Sequence, residues 1–185
     1  MSTPKMSVSA FDDFVERQQA TPDESDAFDG TRERDEWLVH LSELYALIDD
    51  FLRPYVEKGS IAIDYDDISL TEEGIGQYDV KRMVMQIGRQ RVTFTPVGTM
   101  LIGTKGRVDV EGTAGRARLI LTDRQARKPR IAVTVQRGTG SASASGEPTP
   151  AVDWTWKIAT MPPQIEYIDL TRDSLFEMVM EVANA

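Results

Sequence analysis

From Ile61 to Leu170 the apolar residues of this chain fall on alternate positions, and the connections between runs are too short to hold crossover helices. Ile61, Ile63 and Tyr65 alternate with Ala62 and Asp64, and Val92 and Phe94 with Arg91, Thr93 and Thr95. Further on, Val108 and Val110, then Ala117, Leu119 and Leu121, then Ile131, Val133 and Val135, and lastly Val152, Trp154, Trp156 and Ile158 keep the same phase. Successive side chains of a strand point to opposite faces, so clean alternation means one buried face and one wet face. Parallel neighbours need a crossover of a dozen or more residues, which this spacing denies them. The pattern predicts a curved antiparallel meander of about seven to nine strands.

A different period precedes the sheet. Trp37, Leu41, Leu44, Ile48, Phe51 and Tyr55 recur at intervals of four and three residues, which puts them on one stripe of a helix over 31–58. Leu38, Tyr45, Leu47, Leu52 and Val56 widen that stripe beyond a coiled-coil seam, so the helix is expected to lie across a sheet. Pro54 loosens its last turn and Gly59 ends it. After the sheet, Thr171 is placed to cap a closing helix, with Asp173 in its first turn and Leu170 packing on Leu175. The fold class read from these patterns is α+β: a long N-terminal helix and a short C-terminal one cover one face of the meander. A partly closed barrel with an internal pocket is the alternative.

Residues 1–30 read as a separate acidic arm. A short helix over 10–20 would carry Phe11, Phe14 and Val15 on one side, and the polar stretch TPDESDAFDG reads as a linker. Residues 31–185 are expected to form one domain, with GTGSASASGEPTP, 138–150, as a mobile loop. At 185 residues such a chain buries enough surface to need no metal or disulfide staple.

Cysteine is absent from the sequence, which removes thiol catalysis, zinc fingers and iron–sulfur ligation, and suits a reducing cytoplasm. The opening MSTPKMSVSAFDDF lacks the apolar run of a secretory signal, and no apolar stretch approaches membrane-spanning length. The expected protein is soluble and cytoplasmic. Its net charge of −9 is unevenly spread, with 6 basic and 20 acidic residues in 1–80, 13 and 3 in 81–137, and 2 and 7 in 138–185.

GTMLIGTKGRVDVEGTAGRARL, 98–119, invites a phosphate-loop reading. Its glycines Gly98 and Gly103 are correctly spaced, but Thr104-Lys105 reverses the final pair, and a strand follows instead of a helix. These glycines are turn residues. For the turn after Glu111, a four-residue loop of Gly112–Gly115 is expected, with Gly115 at positive φ and Val110 paired with Leu119, Glu111 with Arg118. A two-residue Thr113-Ala114 loop would instead pair Glu111 with Arg116 and Asp109 with Arg118, but those residues suit positive φ poorly.

No catalytic constellation emerges. His40 is the sole histidine and falls at the boundary of the helix stripe. Asp64 and Asp66 share a strand face and could chelate a hard cation, but solvated edge charges are the simpler reading of IDYDDISLTEE. No cofactor and no metal are expected. The outward positions of the middle strands hold Arg91, Arg107, Arg116, Arg118 and Arg130, candidates for binding an anion or a partner. Pairing with Asp109 and Glu111 is the competing reading, and the face lacks aromatic residues for stacking bases. The acidic arm, by its charge alone, could shield these arginines until a partner displaces it.

The expected function is that of a non-enzymatic interaction protein engaging another protein. Two alternatives stay open: a nucleic-acid or polyanion binder using the arginine face, and a small-molecule binder or enzyme with a pocket in the curved sheet.

Overall fold

The computed structural model describes residues 29–99, 104–129 and 152–184. Helix α1 spans Gly30–Glu57; strands β1 Ile61–Glu72, β2 Gly76–Ile87, β3 Gln90–Gly98, β4 Gly106–Glu111, β5 Arg116–Asp123, β6 Trp154–Ala159 and β7 Tyr167–Asp169 follow; α2, Arg172–Ala183, comes last. The seven strands form one antiparallel sheet in the order of the sequence, with β1 and β7 as its edges. The α+β meander read from the alternation is the observed fold. Of the arm expected over 1–30, residues 1–28 lie outside the described residues, as do the strand over 131–135 and the loop over 138–150, while Asp29 and Gly30 belong to the start of α1.

Helix α1 begins where the Asp29 carboxylate accepts from the backbone N–H groups of Thr31 and Arg32, each at 3.1 Å. That gives an acceptor to two of the N–H donors a helix start leaves unpaired. It ends after Glu57, and Gly59 takes φ 71° where any side chain would be strained. Its buried side chains are Trp37, Leu41, Leu44, Tyr45, Ile48 and Leu52. The stripe is therefore rotated from the one expected: Tyr45 and Leu52 are buried, Phe51 is half-buried, and Tyr55 is exposed, with its ring edge-on to Phe176 of the C-terminal helix at 5.6 Å.

The core lies between the helices and the inward phase of the sheet. Val92, Phe94, Val108, Val110, Leu119, Leu121, Trp156 and Ile158 meet Trp37, Leu44 and Ile48 from α1, and Leu175, Val179 and Val182 from α2. Each fully buried large aliphatic contributes about 1.5–3 kcal/mol relative to exposure. Trp156 also donates its indole N–H to the His40 carbonyl at 3.0 Å, fastening α1 to β6. Gly106 at the start of β4 lies against the Trp37 ring, so closely that a Cβ there would overlap it. Beside this contact the Lys105 ammonium bridges Glu33 and Glu36, both at 2.8 Å, and stands 5.9 Å over the Trp154 ring.

At the β4–β5 turn the register is Glu111 with Arg116 and Asp109 with Arg118, the pairing of the shorter loop. The expected Val110–Leu119 pairing is thus overturned. No residue of the turn takes positive φ; it is held by other means. Gly112 donates to the Gly115 carbonyl at 3.0 Å, Ala114 donates to the Val182 carbonyl at 2.9 Å, and the Thr113 hydroxyl lies within hydrogen-bond distance of both the Gln90 side chain and the Ala183 carbonyl, at 2.7 and 2.9 Å. The last turn of α2 supplies acceptors that hairpin rules do not include. It also leaves no room for a side chain at Gly112, whose Cβ would strike the Val182 carbonyl.

Helix α2 starts with the predicted Thr171 cap: its hydroxyl accepts from the Ser174 N–H at 3.2 Å while the Ser174 hydroxyl accepts from the Thr171 N–H at 2.9 Å. No helix among the described residues is long and apolar enough to cross a membrane.

Candidate functional site

Beyond Met83, β2 no longer pairs with β3, so residues 76–82 and their β1 partners form a two-stranded arm in which β2 too has an open edge. Along this arm the buried positions change phase, from Met85 and Met83 to Val80 and Tyr78, although the β1–β2 register is continuous. Helix α1 runs beside the open edge, where Tyr45 donates its hydroxyl to the Lys81 carbonyl at 2.6 Å. Between helix and arm lies a groove of about 540 Å³. Its floor is apolar (Leu38, Leu41, Tyr45, Ala46, Tyr65 and Val80), and its rim carries Asp49, Asp67 and Asp79 against the single cation Lys81.

Each rim carboxylate is oriented by a neighbour. Tyr65 donates to Asp49 at 2.9 Å, Ser69 donates to Asp79, and Lys81 pairs with Asp67 at 2.5 Å. Burial first, and then the Asp49 hydrogen bond, push the Tyr65 phenol well above its ordinary value, so it remains a donor across the neutral range. Tyr45 and Tyr65 stack at 5.5 Å with a 58° tilt, and Tyr65 is left 39% exposed in the groove. The arrangement presents aromatic surface inside an acidic border.

The arginine face is opposite. Arg107 binds Asp109 on its own strand, with Nη2 to Oδ2 at 3.1 Å, and Arg116 meets Glu111 at 2.8 Å. Arg91 is exposed and Arg118 half-buried, and neither makes an ion pair or hydrogen bond among the described residues. Arg130 lies outside them. Farther along, Arg124 meets Asp153 at 2.5 Å and Arg127 meets Asp169 at 3.3 Å. Much of the basic middle of the sequence is therefore compensated by acids that the topology brings beside it.

The outward face is also less wet than the alternation implied. Over β5 and β6 it is roofed by residues near Ala126 and Ile165, which with Ile120, Ala159 and Tyr167 form a second small core. Lys157, an outward residue of β6, is fully buried beneath this roof. Its ammonium donates to the carbonyls of Arg124 and Ala126 at 2.7 and 3.0 Å and to Asp169 at 2.9 Å. The Lys157 hydrogen bond holds the Asp169 carboxyl below its usual range, and Arg127 adds to the effect. The signal for this second core was Ile120, an apolar residue on the polar phase, which pairs with Lys157 across the sheet.

The other acidic residues of β1 serve the fold. Asp66 pairs with Arg82 at 2.7 Å, and Glu72 accepts from Tyr78 and from the Thr99 N–H, tying the arm to the end of β3. His40 contacts Glu43 at 3.0 Å on the helix surface. Among the described residues no group of three or more His, Asp or Glu is placed to hold a metal ion. No protein-family model, curated protein or solved structure matches this chain.

Proposed function

We propose that the protein is a binding domain that holds a segment of another protein in the groove between α1 and the β1–β2 arm. The observation that carries this reading is the groove itself, an apolar floor of about 540 Å³ bordered by three aspartates and one lysine. Exposed apolar surface ringed by polar groups is how soluble domains present an interaction site. The floor would take large apolar side chains, and the excess of carboxylates favours lysine or arginine flanking them. The occupant is accordingly a basic, amphipathic segment, short enough to lie along the exposed flank of α1.

Selection of peptides from a random display library tests this reading. Wild-type protein should enrich sequences that combine Leu, Phe or Trp with Lys or Arg. Ala46→Arg, at an exposed helix position on the groove floor, should abolish their binding without unfolding the domain. Enrichment of no peptides, or of peptides that bind Ala46→Arg equally well, would reject the groove as the functional surface.

A further inference from the structure

On the face away from the helices, we propose a second, independent site: Arg118 and Arg107 form a receptor for a small organic anion with an apolar body. Arg118 stands opposite Asp109 in the β4–β5 register, yet Asp109 is engaged by Arg107 on its own strand. The half-buried Arg118 guanidinium is thereby left without an acceptor among the described residues. The Nε and Nη2 atoms of Arg107 face Asp109, which leaves its Nη1 uncommitted there. Two guanidiniums share one carboxylate, so the pair carries one unbalanced positive charge.

Both arginines border a hollow of about 250 Å³, floored by Ile120, Ala159, Ile165 and Tyr167 of the second core. Burial pushes the Tyr167 phenol above its ordinary value, so at neutral pH it adds a neutral ring and no competing negative charge. A partly desolvated guanidinium gains most from an anion that accepts two of its parallel N–H bonds, which is the geometry of a carboxylate. The volume lies below the roughly 300–1,000 Å³ typical of drug-sized ligands, so the body attached to that carboxylate is about one ring or one short branched chain. The ligand class is a small aromatic or branched monocarboxylate.

Benzoate is the direct probe, with benzamide as its uncharged counterpart and inorganic phosphate as an anion lacking the apolar body. In amide-resolved NMR titrations of the full chain, benzoate should give saturable shifts at Arg107, Arg118, Thr160 and Tyr167, weakened by added salt. Arg118→Met should reduce affinity by about tenfold or more, the worth of a charge-assisted bidentate contact. Arg118→Lys should give an intermediate loss, and decides the matter if the methionine variant folds poorly. Arg116→Met, whose side chain is exposed and paired with Glu111, should bind as the wild type does. Absence of saturable benzoate binding would overturn the proposal, as would shifts centred elsewhere or undiminished binding by both Arg118 variants. Benzamide or phosphate binding as tightly as benzoate would overturn it too. None of these outcomes depends on the α1 groove.

Discussion

Replacing Lys157 by methionine should destabilise the domain by about 2–4 kcal/mol, since the change removes three hydrogen bonds at a fully buried position. Methionine keeps the length and the apolar stem, so no cavity contributes. What is lost is the partner of two backbone carbonyls, those of Arg124 and Ala126, at about 1–2 kcal/mol for each acceptor left dry. The Asp169 carboxylate adds little, because it is half exposed and retains Arg127 at 3.3 Å. For a chain of this length about 2–4 °C of Tm accompanies each kcal/mol, which gives a fall of about 5–15 °C. Urea unfolding followed by tryptophan fluorescence supplies the free energy, and circular dichroism supplies the Tm. Asp169→Asn is the control: it keeps both carbonyl bonds and should cost only about 1 kcal/mol. The order of the two variants is the test. If Lys157→Met matched the wild type, or cost less than Asp169→Asn, the ammonium would not be what holds the 124–126 segment over the sheet.

Two further perturbations probe the joint between α1 and β4. The Glu36 carboxyl is brought down to about 2, chiefly by hydrogen bonds from Lys105 and Arg32, so its stabilising effect is complete above about pH 4.5 and is lost as pH falls toward 2; acid unfolding should show the wild type's advantage over Glu36→Gln shrinking through that window. Gly106→Ala should cost about 1–3 kcal/mol through overlap with the Trp37 ring, and adding Trp37→Phe should recover part of the loss in a double-mutant cycle of Tm values.

The sheet was legible because its signal is local: period two in Val108, Val110, Leu119 and Leu121 assigns a face whatever the neighbours are. The Thr171 cap was legible for the same reason. The β4–β5 register was not, because it depends on acceptors at Val182 and Ala183, some seventy residues away, which local turn preferences cannot contain. Lys157 falls on the polar phase of β6 yet is buried, because alternation reports which residues share a face and is silent on what covers that face. Of the arginine candidates, the sequence placed Arg107, Arg116 and Arg118 correctly on one face. It could not show that Arg107 turns to Asp109 along its own strand and leaves Arg118 unmatched. The α1 groove has no local signal: it arises where β2 and β3 part after the Met83–Phe94 pair although both strands continue, a divergence that no single run of residues encodes.

The clasp between α2 and the β4–β5 turn sets an order on the birth of the molecule. A nascent chain emerges from its N-terminus, so α1 and the first hairpins can form from neighbours already made. The Thr113–Ala114 turn, however, gains its Val182 and Ala183 acceptors only once those residues, about seventy positions later, have been synthesised. Until then Val110 and Leu119 lack the α2 residues, Leu175, Val179 and Val182, that share their core cluster. For this fold, an interrupted message is a hazard even when every strand has been translated.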